Sequence, residues 1–339
     1  MGQVAVGRYT TVSMSSYQPP FQLSHTMLAK VAEIAELLGR WKQAGRDTLA
    51  PQLRRGNRIR TIQASLAIEQ NTLSVEQVTA VLAGKAVLGL PREIQEVKNA
   101  FAAYEALPDW RPDRLDDLLA AHGLLLRGLA DDAGCLREGG VGIYQGQRLV
   151  HMAPPPSQLT RLMNDLLDWL AHSDAHPLIA SSALHYELEF IHPFSDGNGR
   201  MGRLWQTLIL SRWQSILAYL PVETVIKSRQ DDYYRVLGEA DQATDCSAFI
   251  LFMLDAIGEA LQQAITSETP VKTLVKTPVK TPEQILALLR EQPTLTLAEV
   301  AVRLGKSTSA VERAARKLRE QERLRYVGPQ KGGHWEIKE

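Results

Sequence analysis

Residues His192 to Arg203 read HPFSDGNGRMGR and combine a histidine, a carboxylate, a Gly-Asn-Gly turn and two arginines. We call this stretch the motif. The apolar segment 178–191 before it predicts a helix, which should end at His192 because Pro193 disfavours the αR conformation there. The apolar run 204–220 after it predicts a second helix. The motif is therefore expected to join two helices and to concentrate polar side chains between them.

The residue types in the motif predict a phosphate-binding site. A Gly-Asn-Gly turn at the start of a helix, here expected near Arg200, presents free backbone N–H groups and a positive dipole end to an anion. Arg200 and Arg203 lie three positions apart and can reach the same polyanion. Asp196 would repel phosphate unless it held a divalent cation, and Mg²⁺ commonly takes one or two carboxylates with phosphate oxygens. His192 is suited to act as a general base near neutral pH.

The motif resembles the signature of the Fic family, His-x-Phe-x-(Asp/Glu)-Gly-Asn-Gly-Arg-x-x-Arg, and matches every specified position. The resemblance implies transfer of AMP from ATP to a Ser, Thr or Tyr hydroxyl of a protein, with release of pyrophosphate. It implies that His192 is the base and Asp196 the Mg²⁺ ligand. It assigns the α- and β-phosphates to the turn formed by Gly197, Asn198 and Gly199. Arg200 and Arg203 would hold the β- and γ-phosphates.

A second resemblance concerns an inhibitory helix, expected over about residues 60–71. Ser65 to Glu69 is similar to the (Ser/Thr)-x-x-x-Glu-(Gly/Asn) pattern with which many Fic proteins block their own site. Glu69 would pair with Arg203, compete with phosphate for its donors and repel the γ-phosphate. The family pattern has Gly or Asn where this chain has Gln70. A residue with a Cβ atom pays about 1–2 kcal/mol in the left-handed conformation, and Asn71 could take that conformation instead.

Two further elements are assigned by the resemblance. Residues 139–150 predict a β-hairpin around Gln145-Gly146, and a hairpin at this place in Fic proteins is a flap that positions the target by main-chain pairing. Its active-site edge would comprise Leu149, Val150, His151 and Met152. Tyr233 and Tyr234 correspond to a tyrosine pair that lines the nucleotide pocket of relatives, although packing in an aromatic core is nearly as good an explanation for either residue alone.

The C-terminal region predicts a second domain. Residues 269–282 repeat Thr-Pro-Val-Lys with period four, which favours an extended linker. Beyond it the predicted order is helix, helix-turn-helix and hairpin, as in a winged helix. The helices are expected at 281–292, 297–304 and 307–322, and the strands at 324–327 and 334–337. Gly305 and Ser307 occupy the turn and the N-cap. The third helix is basic through Arg313, Arg316, Lys317 and Arg319, which suits DNA or protein contact.

Composition limits the remaining possibilities. The chain has 38 basic and 38 acidic side chains, but residues 271–339 carry 14 Lys/Arg against 8 Asp/Glu, which leaves 24 against 30 in the first 270. Two cysteines are too few for a disulfide framework. The richest apolar run, 118–129, falls short of the about 18 residues that a membrane helix needs, and the N-terminus lacks the pattern of a secretory signal. We therefore expect a cytoplasmic protein without membrane contact.

The sequence thus predicts a mainly α protein: a multi-helix Fic fold with a small β-hairpin flap, followed by a winged helix. The expected divisions are an N-terminal helical region 1–110, a Fic core 111–266, a linker 267–282 and a winged-helix domain 283–339. The expected partners are ATP with Mg²⁺, a protein target or the chain itself, nucleic acid or a protein at the winged helix, and a second copy. Transfer from another nucleotide donor, removal of AMP, and a DNA-binding regulator with a nucleotide-sensing body are the alternatives.

Overall fold

The computed structural model describes residues 17–43, 51–145, 148–268, 281–304, 307–321, 323–329 and 333–337. The chain divides into two compact units, Met1–Thr269 and Pro270–Glu339. We call the first the body. Both the N-terminal helical region and the expected core lie within it, so the division near residue 110 remains a prediction.

The body is built mainly from helices. They are α1 (His25–Gln43), α2 (Pro51–Ile68), α3 (Val75–Leu82), α4 (Pro91–Glu105), α5 (Leu115–Leu125), α6 (Pro156–His172), α7 (Pro177–Ile191), α8 (Asn198–Trp213), α9 (Val222–Ser228), α10 (Gln230–Ala243) and α11 (Ser247–Glu268). Short 3₁₀ helices cover Leu107–Asp109 and Ser215–Tyr219, and strands β1 (Gly142–Gln145) and β2 (Arg148–Met152) form an antiparallel hairpin.

Helices α7 and α8 pack against each other at the centre of the body and carry the motif between them. Every residue of α7 from Leu178 to Leu188 is buried, as expected for a helix that is surrounded by others. Helix α11 packs against α7 and α1, and α2 packs against α9 and α4. This arrangement brings the end of α2 to the motif, although the two are more than 120 residues apart along the chain.

The predicted segments correspond to observed elements, with three corrections. The run 204–220 is not one helix, because α8 ends at Trp213 and an extended Gln214 separates it from a 3₁₀ helix. The expected inhibitory helix is the C-terminal half of the longer helix α2, which ends at Ile68. Helices α9 and α10 were not predicted, although α10 carries the tyrosine pair.

Helix α11, and not the segment 118–129 that the sequence singled out, carries a long apolar segment. Among the described residues, only the segment Ser247–Thr266 is long and apolar enough to cross a membrane by length and composition. Half of this segment is buried within the structure, and α11 packs against α1, α7, α9 and α10. A core helix passes the same test, so the apolar character of α11 is accounted for by its packing in the body.

The second unit has the predicted order of elements. It contains α12 (Thr281–Glu291), α13 (Leu297–Arg303), α14 (Thr308–Glu320) and the antiparallel strands β3 (Leu324–Val327) and β4 (His334–Ile337). Ser307 is the N-cap of α14 as expected, whereas Gly305 lies outside the described residues, as does most of the predicted linker. The basic residues of α14 are all exposed: Arg313, Arg316, Lys317 and Arg319. Trp335 donates its indole N–H to Leu295 O (3.0 Å) and closes the core.

Candidate active site

The backbone of the motif turns sharply at two positions. His192 ends α7 in the left-handed conformation (φ 51°, ψ 58°), and Gly197 precedes α8 with φ 87°. Asn198 holds the loop between them, since its side-chain oxygen accepts from Phe194 N (3.0 Å) and its amide donates to Phe194 O (2.8 Å). The first N–H groups of α8 have no partner within the helix. The backbone of the predicted phosphate cradle therefore has free donors, while the Asn198 side chain itself shapes the loop.

Helix α5 supports the loop from behind. The His122 ring stacks on Phe194 with centroids 3.7 Å apart. Its Nδ1 accepts from Gly134 N (2.9 Å), so Nε2 carries the proton and donates to Asp196 O (3.0 Å). A Cβ atom on Gly197 would lie 2.7 Å from Leu126. These contacts explain why a glycine is needed at this turn, and nothing in the local sequence identified His122 as a supporting residue.

Arg137 ties the flap to the motif. Its buried guanidinium donates to His192 O (2.7 Å), to Gly139 O (2.7 Å) and to Pro154 O (2.6 Å). Gly139 and Pro154 lie just outside the two ends of the β1–β2 hairpin. One side chain therefore joins both ends of the flap to the residue that follows α7. Sequence reasoning missed Arg137, because its partners are carbonyl groups and no spacing pattern points to it.

His192 presents one ring nitrogen as a candidate base. Its Nδ1 lies 3.3 Å from Glu189 O. A carbonyl oxygen only accepts, so Nδ1 carries the proton and Nε2 keeps its lone pair. Burial lowers the pKa of His192, an effect that the Glu189 carbonyl and the Glu69 carboxylate oppose in part. The ring is accordingly neutral near pH 7 and able to take a proton.

Arg203 is buried and bound by the end of α2. Its Nη2 lies 2.7 Å from Glu69 Oε1 and donates to Ser65 O (3.1 Å), and its Nε donates to Ser65 Oγ (3.0 Å). The Arg203 side chain is 1% exposed and that of Glu69 is 37% exposed. The structure thus brings together Ser65, Glu69 and Arg203, the three residues that the resemblance connected.

The end of α2 takes its shape from Gln70 and not from Asn71. Gln70 adopts φ 69°, its N–H donates to Ala67 O (3.2 Å), and Asn71 N donates to Leu66 O (3.1 Å), which is a Schellman motif. The suggestion that Asn71 takes the left-handed conformation was wrong. Asn71 instead donates its side-chain amide to Glu96 Oε2 (2.8 Å). This bond to α4 helps to offset the strain at Gln70.

Asp196 and the buried Arg200 form an ion-pair network that reaches the surface through Arg92. Asp196 Oδ1 lies 2.7 Å from Arg200 Nη2, its Oδ2 lies 2.9 Å from Arg92 Nη2, and Glu96 Oε1 is 3.6 Å from Arg200 Nη1. Asp196 is 43% exposed. The described residues contain no cluster of three or more His, Cys, Asp or Glu groups placed to hold a metal. A single exposed carboxylate fits Mg²⁺ that arrives with phosphate oxygens, because Mg²⁺ is commonly bound in that way.

The Glu189 carboxylate lies in the interior next to Arg203. Glu189 Oε1 accepts from Tyr233 Oη (3.1 Å), and Tyr233 Oη lies 3.1 Å from His185 Nε2. Burial, together with the nearby Glu69 charge, raises the pKa of Glu189 to about 7. Tyr233 is buried beside Glu189. Tyr234 is half exposed and donates to Ile68 O (3.4 Å) at the end of α2. The tyrosine pair is therefore split between the core and the surface.

The flap has the predicted hairpin form. Its strands pair Gly142 with Met152 and Ile143 with His151, with a bulge after Ile143. His151 is directed to the body, where its ring nitrogens lie 2.9 Å from Asp241 Oδ1 and 2.8 Å from Phe190 O. Met152 is exposed. Leu149 and Val150 lie on β2, and their side chains are outside the described part of the chain.

Comparison with known proteins agrees with this architecture. Residues 112–210 match the Fic/DOC family and residues 280–325 match a winged helix-turn-helix DNA-binding family. A crystal structure of a Fic family protein from Desulfovibrio desulfuricans G20 is 49% identical, with a TM-score of 0.72 over 95% of this chain and 98% of that one.

Two curated relatives are similar over the body. The protein adenylyltransferase Fic of Nematostella vectensis is 30% identical over 225 residues, which is 61% of this chain and 49% of that protein. The protein adenylyltransferase fic-1 of Caenorhabditis elegans is 31% identical over 214 residues, or 59% of this chain and 40% of that protein. The chain thus spans about half or less of the length of these relatives.

Proposed function

The chain belongs to the Fic family, and we propose that it is a protein adenylyltransferase that transfers AMP from ATP to a Ser, Thr or Tyr hydroxyl of a protein. The observation that carries this proposal is the grouping of His192, whose Nδ1 faces the Glu189 carbonyl, with Arg200, Arg203 and the first N–H groups of α8. Two curated relatives of the chain are named protein adenylyltransferases, and this supports the proposal.

His192 Nε2 would take the proton of the target hydroxyl. The hydroxyl oxygen then forms a bond to the α-phosphorus of ATP, and the bond from that phosphorus to the bridging oxygen breaks. Pyrophosphate leaves with the electron pair. Because His192 Nδ1 is held by Glu189 O, the ring is oriented before the substrate arrives, which is the advantage of a positioned base.

The phosphates would be held by charge and by backbone donors. The N–H groups of the turn at Gly197, Asn198 and Gly199 would receive the α- and β-phosphates, and Arg200 and Arg203 the β- and γ-phosphates. Asp196 would hold Mg²⁺, which neutralises phosphate charge when bound. The flap would position the target segment through its main chain.

We further propose that Glu69 inhibits the chain. Glu69 occupies Nη2 of Arg203 at 2.7 Å and places a negative charge where the γ-phosphate would bind. A Cβ atom added to Gly199 would lie 2.4 Å from Glu69 Oε1, so this carboxylate lies directly over the start of α8. Its position supports exclusion of the γ-phosphate by like charge and by competition for donors.

The test is incorporation of AMP from α-labelled ATP with Mg²⁺, using the chain itself and a lysate as targets. Glu69→Gly should raise incorporation at least about tenfold, and adding His192→Ala should lower it by about 10² or more. Glu36→Gln is the control: it neutralises a carboxylate whose pair with Arg40 is 64% exposed at both ends, and it should change incorporation less than about threefold.

No label in any variant, with ATP binding intact, would contradict AMP transfer. Competition by other nucleotides would then distinguish another donor. Release of AMP from a modified target by the wild type but not by Glu69→Gly would favour hydrolytic removal of AMP, with Glu69 aligning a water molecule.

The exposed basic side of α14 supports a second proposal, that the winged helix binds nucleic acid through phosphate contacts. Arg316→Gln with Lys317→Gln should weaken binding of duplex DNA and reduce its salt dependence by about one unit of slope per lost contact. Fluorescence anisotropy at several salt concentrations measures this, with His192→Ala as the control. Binding that is absent, or that is insensitive to both the basic substitutions and salt, would leave protein contact as the role of this unit.

A further inference from the structure

The carbonyl groups in the last turn of α2 accept hydrogen bonds from side chains of three other helices. A helix leaves its last four carbonyl groups without partners of its own. In α2, Ser65 O accepts from Arg203 of α8, and Leu66 O is bound within the Schellman motif. The carbonyl oxygens of Ala67 and Ile68 accept from side chains of α9 and α10. The last turn of α2 is therefore held from outside as well as by its own backbone.

Lys227 brings a positive charge to this helix end. It is half-buried in the last turn of α9, and its Nζ donates to Ala67 O (2.8 Å) and to Gln230 Oε1 (2.6 Å). Gln230 in turn donates its side-chain amide to Ile68 O (3.1 Å). A cation at the C-terminus of a helix is stabilised by the helix dipole, most strongly where the site is partly buried. Lys227 and Gln230 together form a cap on α2.

Helix α9 fixes the position of Lys227 without help from the motif. It packs along α2, and the two residues before Lys227, Val225 and Ile226, are buried. The main chain of Lys227 is thus held close to the end of α2, and only the ammonium group has to be ordered for the cap to form.

Glu69 follows directly after the capped turn. Its N–H donates to Leu66 O (3.0 Å), so the position of its main chain depends on the last turn of α2. From there its carboxylate reaches Arg203 Nη2 at 2.7 Å. The Glu69 side chain is 37% exposed, so burial alone does not hold it on Arg203. Unwinding of this turn would withdraw the carboxylate.

We propose that Lys227 is a positioning residue, which keeps the last turn of α2 formed and thereby keeps Glu69 on Arg203. The consequence for ATP rests on the proposed function: loss of the cap would free Arg203 for the γ-phosphate. The cap itself can be measured without reference to activity.

A lysine close to a phosphate site could instead bind the nucleotide directly, and the two roles have opposite consequences. Removal of a phosphate-binding lysine weakens ATP binding whether or not Glu69 is present. Removal of a lysine that acts through Glu69 strengthens ATP binding, and it has no effect once Glu69 is gone.

Titration calorimetry with ATP and Mg²⁺ separates these roles. Lys227→Met keeps the apolar stem and removes the charge, and it should bind ATP at least about threefold more tightly than the wild type. In a Glu69→Gly background the same substitution should change the affinity less than about 1.5-fold. Lys227→Arg, which keeps a charged donor, should restore the wild-type affinity. Weaker ATP binding in Lys227→Met, in either background, overturns the proposal.

Hydrogen exchange of the backbone amides of residues 66–71 tests the cap directly. Exchange should be at least about threefold faster in Lys227→Met and unchanged in Lys227→Arg, while the amides of α11 report global stability. Lys30→Met is the matched control, because it removes a lysine that joins α1 to Asp255 of α11 at 2.8 Å. It should leave residues 66–71 unaffected.

Unchanged exchange of residues 66–71 in Lys227→Met overturns the proposal, as does equal acceleration in α11. Absence of AMP transfer together with the expected exchange and ATP binding would refute the proposed function and leave Lys227 as the residue that positions Glu69.

Discussion

Arg203 and Arg200 lie three residues apart in one helix, and the body holds them in opposite ways. Arg203 is buried, and its side-chain partners are Ser65 on α2 and Glu69 directly after α2, the latter at 2.7 Å. Arg200 pairs with Asp196, which is close to the surface and is shared with Arg92. Both guanidinium groups are buried, with 1% and 6% of their side chains exposed, so the difference lies in their carboxylate partners and in what those carboxylates also bind.

The difference determines what a phosphate must displace. At Arg200 a phosphate competes with Asp196, whose half-exposed carboxylate keeps Arg92 as a second partner when it is displaced. At Arg203 it must remove Glu69 from a buried guanidinium, where an uncompensated charge is costly. Control of the site is accordingly expected at Arg203 and α2 rather than at the surface network.

The largest expected change in stability involves Glu189, which lies next to the buried Arg203. Burial and the Glu69 charge raise the pKa of Glu189 to about 7, so the stability contributed by its neutral form is present below about pH 4.5 and is lost as the pH rises through about 7. Glu189→Gln keeps the neutral form at every pH. The variant should match the wild type near pH 4.5 and exceed it by up to about 3 kcal/mol above pH 7.

Urea unfolding of the body, followed by tryptophan fluorescence between about pH 4.5 and 8, measures this difference. If the free energies of unfolding of the two proteins changed with pH in the same way, the Glu189 carboxylate would be solvated. The region around Arg203 would then not differ from the region around Arg200 in its electrostatics.

An intermediate effect is expected at the end of α2. Gln70→Gly removes a side chain that is strained at φ 69° and should stabilise the body by about 1 kcal/mol. Thr244→Gly is the matched control, because Thr244 ends α10 at φ 49°. Both variants should raise the unfolding midpoint.

Only Gln70→Gly should also slow hydrogen exchange of the amides around Glu69. Equally slow hydrogen exchange in Thr244→Gly would mean that the end of α2 responds to global stability alone. The left-handed conformation of Gln70 would then have no specific role in positioning Glu69.

The smallest effect is expected on the exposed side. Arg92→Gln removes the 2.9 Å pair with Asp196, whose partners are 58% and 43% exposed. Stability should fall by less than about 0.5 kcal/mol, and less still in high salt. Urea unfolding at low and high salt checks this. A loss above about 1 kcal/mol that persists in salt would remove the distinction between the two regions.

Several site contacts were beyond prediction because their partners are distant along the chain. Arg137 binds the carbonyl of His192, and Glu96 connects Asn71 to Arg200. Such residues are not part of a periodic pattern. In the sequence, a single arginine or glutamate that binds a distant segment cannot be distinguished from one on a solvent-exposed helix. Gln70 was misjudged for a related reason, since packing between α2 and α4 overrides the low preference of glutamine for its conformation.

By itself the sequence determined the family, the order of the helices except α9 and α10, and the chemical groups of the motif. It could do so because the histidine, the carboxylate, the turn and both arginines lie within twelve consecutive residues, and a loop between two helices places such neighbours together in any fold. Only the tertiary structure decided that Arg203 is buried under Glu69, that Glu189 lies next to it, and that Lys227 contacts the end of α2. Burial and charge pairing arise between segments far apart in the chain, and they set the strength of every electrostatic contact in the site.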